Sequence, residues 1–140
     1  MRSFIFAAMF WLAASAQAQQ APPKIRTVPV YAYPGDEMAC RVLSQASASL
    51  MKELPKALDS LTTLDGWVIL CAFKSSAINK SIAANLGDFP ADWSYKLQMQ
   101  LNRDTCQRPH LREMVRHGWK FFQNILFENG ERLSLQAVCD

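Results

Sequence analysis

The chain has 140 residues, with 15 Lys and Arg against 12 Asp and Glu, two His and four Cys. A formal net charge of +3 is too small an excess to argue for nucleic acid or an anionic membrane surface as a partner. The length suits one domain with one core; no catalytic or metal constellation can be assembled, so neither an enzyme nor a cofactor is implied.

The N-terminus carries Arg2 and then an apolar run, Phe4 to Ala14, followed by Ser15-Ala16-Gln17-Ala18. Small residues at 16 and 18 make a signal-peptidase pattern, so residues 1–18 are expected to be a signal peptide cut after Ala18, with Ala16 as the alternative point. The run is shorter than the roughly 20 apolar residues that a spanning helix needs, which disfavours a membrane anchor. Losing Arg2 takes the charge from +3 to +2. No later stretch is apolar enough to span a bilayer. Residues 19–35 hold Pro22, Pro23, Pro29 and Pro34 and read as a linker, or at best an edge strand around Val28 to Tyr33.

Residues 36–140 form the expected single domain. Asp36 is a natural N-cap, and Ala39, Val42, Leu43, Ala46 and Leu50 predict a helix from Glu37 to about Lys52. Trp67 to Phe73 is β-branched, aromatic and apolar, which predicts a strand within a sheet. Ile78, Ile82 and Leu86 followed by Gly87 predict a short helix over Ser76 to Leu86. Asp88-Phe89-Pro90 precedes a further helix marked by Trp93, Leu97 and Leu101 and running to about Arg103. Pro109 to His117 is predicted as a third, closed by Gly118.

Trp119 to Phe127 and Leu133 to Ala137 predict a hairpin. A two-residue Asn129-Gly130 turn would place Phe127 opposite Arg132 and Ile125 opposite Ser134, mixing characters on one face. A three-residue loop, Glu128 to Gly130, pairs Phe127 with Glu131, Ile125 with Leu133, Gln123 with Leu135 and Phe121 with Ala137. The expected fold is α+β, its helices packed on one face of a small antiparallel sheet, with Trp67–Phe73 beside the hairpin.

Four cysteines in an exported chain read as two disulfides, since their spacings contain no C-x-x-C and neither His110 nor His117 completes a zinc set. The hairpin register brings Cys139 opposite Trp119, one short helix downstream of Cys106. That favours Cys106–Cys139, leaving Cys40–Cys71.

Two segments carry a family likeness: Leu54 to Asp65 (LPKALDSLTTLD), and Cys106 to Cys139 with its Pro109, helix, Gly118, aromatic strand, Gly130 turn and closing Cys. In these the chain resembles small exported proteobacterial proteins of the quorum-sensing-regulated virulence factor type. Cys40 and Cys71 depart from that pattern, and Trp67 to Phe73 is more apolar than its tyrosine-rich strand. The resemblance implies an α+β domain in the periplasm or outside the cell, and it carries over no catalytic residue.

Candidate binding residues fall in two groups. Asp59, Thr62, Thr63 and Asp65 are a polar cluster at a strand's edge, although Asp and Thr also simply turn chains. Arg108, Arg112 and Arg116 share a helical face that suits an acidic partner or phosphate, although such stripes are often only solvated. The function expected is a non-catalytic exported protein that binds a macromolecule, with an unknown protein or cell-envelope partner. The alternative is a periplasmic inhibitor or immunity protein against a cell-wall or secreted enzyme.

Overall fold

The computed structural model describes residues 32–140. The signal segment, its cleavage point after Ala18 and the first part of the candidate edge strand, residues 28–31, lie outside the described residues; Ala32 and Tyr33 are not in a strand. Helix α1 spans Asp36–Met51, and its buried residues Ala39, Leu43 and Ser47 recur every four positions, one stripe of a helix. Gly35, at φ +97°, takes the N-cap position expected of Asp36. The Asp36 carboxylate is used elsewhere: it accepts from the Tyr33 hydroxyl and pairs with Lys74 at 2.8 Å.

Five strands lie side by side in chain order: β1 (Lys56–Ala57), β2 (Thr62–Leu70), β3 (Ser75–Ile82), β4 (Lys120–Phe127) and β5 (Arg132–Gln136). All neighbours are antiparallel except β3 and β4, which are parallel. A parallel pair needs a long crossover. Helices α2 (Trp93–Cys106) and α3 (Pro109–Arg116) supply it.

Two expectations are corrected here. Ser76 to Leu86 is not a helix, because β3 occupies Ser75–Ile82 and stands between β2 and the hairpin. Isoleucines at 78 and 82 fit a helix and equally one face of a strand, and Ser75, Ser76, Asn79 and Ser81 are poor helix formers. The first long strand begins at Thr62 and ends at Leu70, not Phe73. Cys71–Phe73 makes a 3₁₀ turn, and Lys74 in the left-handed region (φ 47°) turns the chain into β3.

The hairpin has the expected register. Phe127 N–H donates to Glu131 O, Ile125 faces Leu133, Gln123 faces Leu135, and Ala137 N–H donates to Phe121 O. Gly130 sits at φ +86°, as a three-residue loop requires. Gly118, at φ +90°, ends α3 and releases the chain into β4.

The inner face of the sheet carries Trp67, Ile82, Phe121, Ile125, Phe127 and Leu135, and all three helices lie over it. Trp119 and Phe127 are its most buried large side chains, each 2% exposed. Burial of one such ring contributes about 1.5–3 kcal/mol. Trp119 anchors a cluster with Ala39, Leu43 and Met114. Phe127 anchors a second, edge-on to Phe89 and Trp93.

Both cysteine pairs are disulfides. Cys40–Cys71 ties α1 to the end of β2, and Cys106–Cys139 ties α2 to the chain after β5. The β5 edge is guarded as well: Gln98 Nε2 donates to Gln136 O at 2.8 Å, and Asn102 Oδ1 accepts from Val138 N–H at 2.9 Å. Amide side chains of α2 thus occupy backbone groups that would otherwise template another strand.

Candidate functional site: a groove between the helices

The inner face of β3 reads Ser76, Ile78, Lys80, Ile82, and the register sets Ile78 beside Gln123 and Lys80 beside Ile125. Two polar side chains, Lys80 and Gln123, therefore face the helix layer at mid-sheet, where a closed core would be apolar. Gln123 is buried beneath the helices, whereas Lys80 is left partly open. A cavity of about 440 Å³ runs between α1 and the α2–α3 pair, walled by Val42, Leu43, Ala46, Leu101 and Leu111. A second, of about 460 Å³, continues under α2 towards the β1–β2 loop, walled by Leu58, Leu61, Phe89 and Leu97. Lys80, Leu101, Asp104 and Gln123 line both, so the two cavities adjoin at mid-sheet and together form the candidate groove.

Local hydrogen bonds fix its walls. Ser47 Oγ on α1 donates to Trp67 O at 2.6 Å, and Trp67 Nε1 donates to Ser76 Oγ at 2.8 Å, which locks the indole on the floor. At the other mouth, Asp59 Oδ1 accepts from Leu61 and Thr62 N–H at 2.8 and 2.7 Å. Those N–H groups hold its carboxyl below the usual range. Lys80 is half-buried, and desolvation pushes its ammonium below the usual lysine range, against the opposing charges of Asp104 and Asp59.

The candidate residues from the sequence are scattered. Asp59 and Thr62 reach the groove mouth. Asp65, at the irregularity between Leu64 and Gly66, lies on the opposite face with Asn79 and Asn124. Arg108 precedes α3 and lines the groove. Arg112 donates to the Asp140 carbonyl at 3.3 Å and Arg116 pairs with Glu113, so the arginines are not one open basic face. His110 lines the groove. His117 caps α3, stacks on Tyr33 with centroids 3.9 Å apart, and accepts from Lys74 Nζ through its carbonyl. Trp119 Nε1 donates to the same Tyr33 hydroxyl at 2.9 Å. This assembly pins the entry of the chain to α1 and α3.

Lys80, Asp104, Gln123 and the groove itself were not singled out from sequence. Their signal was the alternation Ser76, Ile78, Lys80, Ile82, legible only once β3 is a strand. Among the described residues no cluster of His, Cys, Asp and Glu is placed to hold a metal ion, and no helix is long and apolar enough to cross a membrane.

No family model and no curated protein matches the chain. Solved structures share its fold. A protein of Pseudomonas aeruginosa described as a "putative secreted protein" superposes with a TM-score of 0.57 at 12% identity, covering 76% of this chain and 94% of its own. The type 2 secretion system pilotin EpsS of Vibrio vulnificus superposes with a TM-score of 0.55 at 10% identity, covering 74% and 90%. The likeness establishes a common α+β architecture. It does not single out the virulence-factor type that the sequence resembles.

Proposed function

We propose that this is an exported, non-catalytic binding protein that holds an apolar segment of a partner protein in the groove between α1 and α2–α3. The groove carries the reading: its two adjoining halves open to solvent, the α1 half is walled mainly by apolar side chains over a floor locked by Trp67, and the other half mixes apolar with polar ones. Such a shape suits a stretch of polypeptide better than an enclosed small molecule. Two disulfides support a periplasmic or extracellular location, where such bonds persist. So does the fold shared with a protein described as a "putative secreted protein" and with a secretion-system pilotin, the latter adding weight to a protein partner. Virulence, as the sequence resemblance implies, is one setting for such a binder.

The test is co-purification from the native envelope with Ala46→Trp as the control. Ala46 is an exposed wall residue, so an indole there fills the groove without entering the core. A partner retained by the wild type and lost by Ala46→Trp supports the reading. A partner retained equally by both contradicts it. If the partner is a cell-wall or secreted enzyme whose activity falls in the complex, the protein is an inhibitor or immunity protein.

A further inference from the structure

We infer that Lys80 is an anion anchor: the segment held in the groove fills both halves with apolar side chains and presents one Asp or Glu carboxylate to the Lys80 ammonium. This rests on the groove reading above and adds the chemistry of the occupant.

Three observations converge on it. Lys80 stands where the two halves of the groove meet, with Leu64 and Ile125 as its cross-strand neighbours and Ile78 and Ile82 on either side along β3. A cation in that setting is partly stripped of water and costs free energy unless it is paired. Among the described residues, no carboxylate lies within ion-pair distance of it and no hydrogen bond engages it; the five ion pairs all lie elsewhere. Of the two carboxylates whose charges act on Lys80, Asp104 makes no ion pair with it, and Asp59 has turned its Oδ1 to the Leu61 and Thr62 N–H groups.

The charge distribution selects the ligand's ionic form. Arg108, also without an ion pair among the described residues, lines the α1 half with Lys80, against Asp104. That half therefore favours a single negative charge. A phosphate dianion would meet Asp104 and Asp59 as well as Lys80, and the apolar walls leave it little solvation. A carboxylate on an otherwise apolar segment satisfies the ammonium and leaves the walls to Leu, Phe and Trp contacts.

The probe is a phage-displayed library of random 12-residue peptides, selected on the full chain purified from the periplasm with its disulfides intact. Peptides whose binding is abolished by Ala46→Trp are groove binders, and they are synthesised for calorimetry. The expected groove binders carry one Asp or Glu among apolar residues. Changing that residue to its amide, or Lys80→Met (with Lys80→Gln as a second variant), weakens binding about tenfold or more, as loss of a charged hydrogen bond does. Combining the peptide and protein changes adds nothing further, because both remove one contact. Groove binders whose affinity ignores both Lys80 variants overturn the anchor and leave the groove reading standing. A library that gives no binder sensitive to Ala46→Trp overturns both.

Discussion

Lys80→Met should raise the stability of the unliganded protein, against the usual direction for substitutions. Lys80 is half-buried on the inner face of β3 between two isoleucines, and its ammonium has no ion-pair partner among the described residues. Methionine keeps most of the stem and removes the charge. Replacing a fully buried ionic group by an apolar one of similar volume stabilises by about 1–4 kcal/mol, and partial exposure of Lys80 brings this to roughly 1 kcal/mol. For a domain of this size that is a rise in Tm of about 4 °C. The pH dependence gives a second handle. The folded-state pKa lies below the unfolded value of 10.5, so the unfolded chain binds the proton more tightly. The wild type therefore gains stability as pH rises through the folded pKa, and the advantage of Lys80→Met shrinks from neutral pH towards pH 10.5. Thermal melts by circular dichroism at both ends of that range measure it. A variant that melts below wild type at neutral pH, or whose offset is the same at both ends, refutes the reasoning and makes Lys80 a structural lysine.

Other consequences are separable. Removing the Cys106–Cys139 bridge with paired serines frees a loop of 33 residues and should cost about 4 kcal/mol by chain entropy, read from urea unfolding without reductant. Trp119→Ala empties the site under α1 and α3 and removes the donor to Tyr33, and should cost about 3–5 kcal/mol in the same assay. The carboxyls of Asp36, held by Lys74 and Tyr33, and of Asp59, held by Leu61 and Thr62 N–H groups, titrate below their ordinary 3.8. Their contribution is present above that pH and is lost as pH falls through the lower folded values. Acid unfolding should accordingly be shallower in Asp59→Asn, followed by tryptophan fluorescence.

What the sequence revealed and what it hid have physical reasons. The hairpin was legible because a one-residue slip would have turned Ile125 and Phe127 to solvent, so only one loop length is consistent with the pattern. The disulfide pairing followed from that register. The third strand was hidden because Ile78 and Ile82 are four apart, a spacing that suits one turn of helix and one face of a strand alike. The start of β2 was hidden by the irregularity at Leu64/Gly66, which sets inward-facing Leu64 and Trp67 three apart and breaks the alternation. The apolar Cys71-Ala72-Phe73 extended the apparent strand, although Phe73 is 74% exposed in the turn. Lys80 was lost with β3, since nothing marks it as inward-facing until the strand and its parallel partner are in place. Asp59, Thr62 and Arg108 were found as polar residues, but their common groove depends on how far α1 stands from α2, which no local pattern specifies.

The most direct measurement is site-specific photo-crosslinking in the native bacterium, with benzoylphenylalanine placed at Val42 and at Leu58, exposed residues that line the two halves of the groove, and at Ser81 and Asn124 on the opposite face of the sheet. A groove that holds a partner segment gives one and the same adduct from Val42 and Leu58 and none from Ser81 or Asn124. An adduct from Ser81 and Asn124 with both wall positions silent places binding on the open face of the sheet and contradicts the groove.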